Sequence, residues 1–92
     1  MFAKIVKITD RDGKPKTDGR YPMRVGAIVY VYPAKVGDLL YMDYIADGAG
    51  NLKNGMLCTS TVQDVENEAD VMKVTTKNSV YLLERAMDDA AD

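Results

Sequence analysis

The residue types that most often carry out catalysis are scarce in this chain of 92 residues. It contains no histidine, which removes the commonest general base, the commonest transition-metal ligand and the usual proton switch near neutral pH. Its only cysteine, Cys58, has neutral neighbours, so no adjacent charge would stabilise a nucleophilic thiolate, and we expect a small packed strand residue. A single cysteine also excludes an internal disulfide and fits a reducing, cytoplasmic compartment.

The hydroxyl and carboxylate groups do not complete a catalytic pattern either. Thr59, Ser60 and Thr61 follow one another, but they lack a histidine base and the sequence contexts of known serine nucleophiles. Four carboxylates alternate between residues 64 and 70, where we predict a solvated turn rather than a hydrolytic pair. We therefore predict that the protein is not an enzyme.

Two Asp-Gly segments resemble the start of ion-binding loops. Asp10 and Asp12 begin as calcium loops do, but Lys14 stands at the fifth position and Tyr21 at the twelfth, where oxygen ligands are needed. The segment 47–51 lacks further carboxylates, and it lacks the Lys-Ser/Thr pair of a phosphate-binding loop. We expect ordinary polar turns in both places, with no metal and no cofactor.

Positive charge is concentrated near the start of the chain. Residues 1–35 hold eight Lys and Arg against three Asp, whereas residues 36–92 hold four Lys and Arg against eleven Asp and Glu. Basic residues beside an aromatic ring are typical of proteins that bind single-stranded nucleic acid. Three aspartates interleave with them and the net charge is −2, so we keep this function as the alternative. Its candidate residues, in the segment 10–24, are Arg11, Lys14, Lys16, Arg20, Tyr21 and Arg24.

The tyrosines favour a protein partner. A tyrosine buries a large apolar area, keeps a polar tip and is enriched at the energetic centres of interfaces. The predicted strands 24–32 and 79–84 are apolar on both faces, so one small core cannot hide all their side chains. We predict that the partner, either another protein or a second copy of the chain, contacts Tyr30, Tyr32, Tyr41 and Tyr81.

Short alternating segments predict the elements that position these residues. The longest apolar run, 27–32, is far shorter than the roughly 20 residues of a membrane-spanning helix. We predict strands at 2–9, 24–32, 39–45, 56–65, 71–76 and 79–84. A long loop covers 10–19, Gly-bearing turns cover 46–55 and an acidic turn covers 66–70. Lys77-Asn78 should form a tight hairpin turn, in which Asn78 can take the left-handed conformation.

These segments predict an all-β fold without helical periodicity. We expect an antiparallel meander of five or six strands that closes or nearly closes, as a partly open barrel of Src-homology-like shape. The single β domain should cover residues 1–85. The acidic residues 86–92 should form a disordered tail or a short helical turn.

Three segments carry a resemblance: 20–26 (RYPMRVG), 59–62 (TSTV) and 75–81 (TTKNSVY). Together they resemble small uncharacterised proteins of bacterial mobile elements and their phages. The resemblance implies a bacterial, phage-borne or element-borne context and brings no catalytic residue. Small proteins in such contexts are often inhibitors or adaptors, which favours protein binding.

Overall fold

Alternating apolar side chains build the first three strands. In the computed structural model, which describes residues 1–86, β1 spans Phe2–Thr9, β2 spans Ile28–Val31 and β3 spans Leu39–Ala46. β1 turns Ala3 and Ile5 inward and leaves Lys4 in solvent. The predicted alternation of β3 is confirmed, because Leu40 and Met42 are buried.

The second half of the chain forms three more strands. β4 spans Met56–Glu68, β5 spans Val71–Thr76 and β6 spans Val80–Arg85. A single helical turn, α1, spans Tyr21–Arg24 between β1 and β2. Pro22 suits the first turn of a helix, where its missing N–H costs no hydrogen bond.

The six strands close into a barrel in the order β1-β2-β3-β4-β5-β6. All pairings are antiparallel, and β1 pairs with both β2 and β6. The predicted all-β antiparallel meander is thus confirmed, and the sheet is fully closed. Register shifts in four of the six pairings allow the tight curvature that such a small barrel needs.

The core fills the interior of the barrel. It consists of the inward side chains Ala3, Ile5, Ile8, Ala27, Val29, Val31, Leu40, Met42, Leu57, Val62, Met72, Val74, Tyr81 and Leu83. Two buried polar residues, Thr76 and Ser79, satisfy one another: the Ser79 amide donates to Thr76 Oγ1 at 3.1 Å, and that hydroxyl donates to the Ser79 carbonyl at 3.0 Å.

Three predicted boundaries were wrong. The strand predicted at 24–32 begins only at Ile28, because 21–24 form α1 and Gly26 takes a φ of 90°. Glu66 and Glu68 belong to β4 rather than to a turn, and they pair with β5 as exposed residues. β6 spans Val80–Arg85 rather than the predicted 79–84, and the Ala86 amide donates to the Phe2 carbonyl at 2.9 Å.

The β5–β6 hairpin is confirmed, but its turn differs from the prediction. Asn78 is not left-handed, because the one non-glycine residue with positive φ in the described range is Ala69, at 53°. The Thr76 side chain closes the turn instead. The predicted tail beyond Ala86 lies outside the described residues. Within 1–86, no helix has the length and apolarity to cross a membrane.

Candidate interaction surface

Four aromatic side chains lie side by side on the outside of the barrel; we call Phe2, Tyr30, Tyr32 and Tyr41 the aromatic face. The register places Phe2 opposite Tyr30, and the Tyr32 amide donates to the Tyr41 carbonyl at 3.1 Å. The rings of Phe2 and Tyr30 meet edge to face at 5.1 Å between centroids, and those of Tyr30 and Tyr32 at 5.2 Å. Such geometry is the favoured one for aromatic pairs.

The aromatic face is accessible. Phe2 is 47% exposed, Tyr41 42% and Tyr32 38%, while Tyr30 is half-buried between its neighbours. The Tyr32 hydroxyl donates to the Asp43 carboxylate, and this hydrogen bond raises the pKa of Tyr32. Asp43, on the adjacent strand β3, therefore orients the tip of the Tyr32 ring. Three of the four tyrosines that were predicted to contact the partner lie together on this face.

Tyr81 does not belong to this surface, and its prediction as a partner-binding residue was wrong. Its side chain points into the barrel and is 1% exposed. Arg24 Nη1 donates to the Tyr81 hydroxyl at 3.0 Å, and burial raises the pKa of Tyr81 although Arg24 opposes that shift. Both faces of β6 carry apolar residues, so the sequence did not reveal which one faced inward.

Tyr21, the predicted stacking platform for nucleic acid, already has partners. Lys16 Nζ lies 4.7 Å from its ring centroid and Arg24 Cζ lies 5.1 Å from it. The Ser79 hydroxyl donates to the Tyr21 hydroxyl at 3.2 Å. A base would have to displace a cation in order to stack on this ring.

The six predicted nucleic-acid contacts do not all converge: Lys16 and Arg24 flank Tyr21, whereas Arg11 and Lys14 have other partners. Arg11 Nη1 donates to Gln63 Oε1 on β4 at 2.7 Å, and Lys16 pairs with Asp18 at 3.8 Å. Lys14 belongs to the turn held by Asp10. Of the six, Arg20 and Arg24 meet in a concave site, together with Lys53, which was not among the predicted contacts.

That concave site, the cationic cleft, has a volume of about 250 Å³ and is formed by α1, the β3–β4 loop and the start of β4. Lys53 Nζ lies 4.5 Å from the Tyr44 ring centroid, on one side of the cleft. Within residues 1–86, no carboxylate lines it. Its lining residues are Arg20, Met23, Arg24, Tyr44, Lys53, Asn54, Met56, Leu57 and Cys58.

A close approach of two glycines positions the cleft. A Cβ on Gly48 would lie 2.7 Å from the Val25 carbonyl oxygen, and one on Gly26 would lie 3.2 Å from the Gly48 Cα. Only glycine allows two backbones to come this close. The contact holds the loop that carries Lys53 against the segment that follows α1.

Two matching five-residue turns account for the segments that resembled ion-binding loops. The Asp10 carboxylate accepts the amides of Asp12 and Lys14 at 2.8 and 3.0 Å, and the Asp47 carboxylate accepts those of Ala49 and Asn51, both at 2.9 Å. These bonds lower the pKa of both aspartates, the Lys14 amide contributing most for Asp10 and the Asn51 amide most for Asp47. The carboxylates thus support the backbone. No group of three or more ligand residues suited to a metal occurs in 1–86.

Cys58 lies on a strand, as predicted, but it is exposed rather than packed. It pairs with Tyr41 across β3 and β4, so it extends the aromatic face toward the cleft. No family model, curated protein or solved structure matches the chain.

Proposed function

We propose that the protein is a non-enzymatic protein-interaction module whose aromatic face contacts the partner. The observation that carries this proposal is the row of four neighbouring aromatic side chains on the outside of a closed barrel. Aromatic residues are enriched at protein interfaces, and tyrosine rings supply contact area at a low entropic cost.

The closed barrel restricts how a partner can bind. Every strand has a neighbour on both sides, so strand addition is confined to the short stretches that these pairings leave open, such as the part of β4 beyond its pairing with β3. The aromatic face instead offers the partner a row of side chains. Edge-to-face contacts and the Tyr32–Asp43 hydrogen bond hold the rings before binding, which lowers the entropy lost on association.

Photo-crosslinking tests the proposal directly. A photoreactive phenylalanine analogue replaces Tyr41 in one protein and Lys73 in a control; Lys73 is exposed on β5, away from the aromatic face. We expect protein adducts from position 41 that are absent from position 73, with the adduct mass distinguishing a second copy from another protein. A strictly monomeric protein that gives no adduct at position 41 in its native cell contradicts the proposal.

Truncation of the rings provides an independent test. Tyr32→Ser and Tyr41→Ser remove rings outside the barrel core, so we expect both variants to fold, with a stability loss for Tyr32→Ser from its contacts with Tyr30 and Asp43. If these rings are central contacts, each loses about 2 kcal/mol of binding, or roughly thirtyfold in affinity. Lys73→Ser is the matched control, and equal affinities for all three variants would argue against the aromatic face.

Nucleic-acid binding is the second candidate, supported by the convergence of Arg20 and Arg24 with Lys53. It predicts retention on immobilised single-stranded DNA that weakens steeply with salt. Replacing Arg20 and Lys53 with Glu should then abolish retention. An unchanged signal after both replacements would count against this candidate.

A further inference from the structure

Among residues 1–86, no carboxylate belongs to the lining of the cationic cleft, although Asp47 lies near enough to Lys53 for that charge to help lower the Asp47 pKa. The one ion pair within residues 1–86 joins Lys16 to Asp18, so Arg20, Arg24 and Lys53 have no carboxylate partner there. Arg24 is anchored by the Tyr81 hydroxyl, and Lys53 rests over the Tyr44 ring. Three cations in a cleft whose described lining holds no acid favour an anionic ligand by charge complementarity.

Two exposed methionines give the same cleft an apolar side. Met23 is 67% exposed and Met56 is 59% exposed, although both side chains are apolar. Methionine is unbranched and polarizable, so it adapts to different apolar groups and is common on surfaces that bind varied peptides. The ligand that matches this lining carries an apolar group beside its negative charge.

The cleft is continuous with the aromatic face. Tyr41 pairs with Cys58, and Asp43 pairs with Met56, across β3 and β4. Both β4 residues also line the cleft. A protein lying on the aromatic face can therefore place an adjoining segment in the cleft.

The size of the cleft favours side chains over a larger ligand. Its volume of about 250 Å³ lies below the roughly 300–1,000 Å³ of sites for drug-sized molecules. A nucleic-acid strand would require a basic track and a free stacking ring, whereas Arg11 is bonded to Gln63 and Tyr21 lies against two cations. One acidic side chain with an apolar neighbour matches these dimensions.

We propose that the cationic cleft binds an acidic segment of the partner protein, in which Asp or Glu adjoins an apolar side chain. The carboxylate lies between Arg20 and Lys53, and the apolar side chain packs on Met23 and Met56. This inference rests on the proposed function, because it requires the ligand to be a protein.

A peptide titration tests the cleft. The probe is a blocked hexapeptide of alternating Glu and Leu, added to the ¹⁵N-labelled full chain, with a Gln-Leu peptide as the uncharged control. We expect amide shifts centred on Lys53 and Met56 with the Glu peptide, weakening with salt. Lys53→Glu should lower the affinity by about tenfold or more, whereas Lys73→Glu should change it far less.

Three outcomes overturn the inference. They are equal binding of the Glu and Gln peptides, absence of shifts at millimolar peptide, and Lys53-dependent binding of an oligothymidylate in preference to the Glu peptide. Crosslinking from position 41 separates this failure from that of the proposed function. Protein adducts at position 41 without peptide binding reject the cleft alone, whereas peptide binding without such adducts rejects the aromatic face.

Discussion

Gly48→Ala should destabilise the fold even though Gly48 does not have the positive φ that favours glycine. The added Cβ would lie 2.7 Å from the Val25 carbonyl oxygen, and backbone cannot move aside as a flexible side chain can. Overpacking of this kind costs about 1–3 kcal/mol. Alanine also reduces the conformational entropy of the unfolded chain, which offsets about 0.4–1 kcal/mol of this cost. The expected net loss is about 1–2 kcal/mol, or roughly 4–16 °C in Tm for a domain of this size.

Two further glycines separate the steric effect from the backbone effect. Gly50 has a φ of 90° and no atom within 4 Å of its added Cβ, so Gly50→Ala measures the conformational cost alone. Gly26 combines a φ of 90° with a 3.2 Å approach to Gly48 Cα, so Gly26→Ala should be the most damaging of the three, at about 2–4 kcal/mol.

Urea unfolding followed by circular dichroism measures all three variants. If Gly48→Ala is neutral or stabilising, the two backbones are not in contact and the account of how Lys53 is held fails. A second readout is the amide spectrum of residues 52–56. It should shift in Gly48→Ala but remain nearly unchanged in Gly50→Ala if the contact positions the cleft.

Three other predictions concern buried polar groups and titration. Thr76→Val leaves the buried Ser79 amide without its acceptor, so the free energy of unfolding measured in urea should fall by about 1–3 kcal/mol. Thr75→Val, at a half-buried position, is the control and should lower it much less. Equal losses in the two variants would refute the role of the Thr76 hydroxyl. Folding raises the pKa of Tyr81, so this residue stabilises the fold fully below the ordinary pKa of 10.0, and the stabilisation is lost as pH rises toward the folded pKa. Tyr81→Phe should therefore reduce the alkaline fall in Tm. An unchanged dependence of Tm on pH would refute this assignment. Folding lowers the pKa of Asp10 and of Asp47, so both carboxylates stabilise the fold above the ordinary pKa of 3.8, and the stabilisation disappears as pH falls through the folded pKa values. The double variant Asp10→Asn and Asp47→Asn should therefore show a smaller fall of Tm in acid. A fall equal to that of the parent protein would contradict the turn geometry.

The strand order was predictable because each strand pairs with its neighbour in sequence and the alternation is local. β1, β3 and β5 follow from that pattern. The end of β4 did not, because Glu66 and Glu68 resemble a solvated turn until β5 is known to pair with them. The segment 21–24 resembled the approach to a strand, although Pro22 starts a helical turn there.

The candidate site was predictable only in part, because it depends on distant segments. Tyr30, Tyr32 and Tyr41 could be predicted as surface residues, because the strands carry more large apolar side chains than one small core can bury. Tyr81 was misassigned because both faces of β6 are apolar, and burial is decided by the barrel rather than by the strand. Lys53 was missed because its proximity to Arg20 and Arg24 exists only once the β3–β4 loop packs on the segment after α1.

The closure of β1 on β6 has a consequence for how the chain folds. Five of the six pairings join neighbours in sequence, and such contacts form quickly. The pairing of Ala3 with Arg85 joins residues near opposite ends of the chain. During synthesis, β1 must therefore keep an unpaired edge until β6 has left the ribosome. The exposed lysines on β1, Lys4 and Lys7, are the kind of charge that discourages such an edge from recruiting another chain. Replacing both with Val should increase aggregation during refolding more than it changes the stability of the closed barrel.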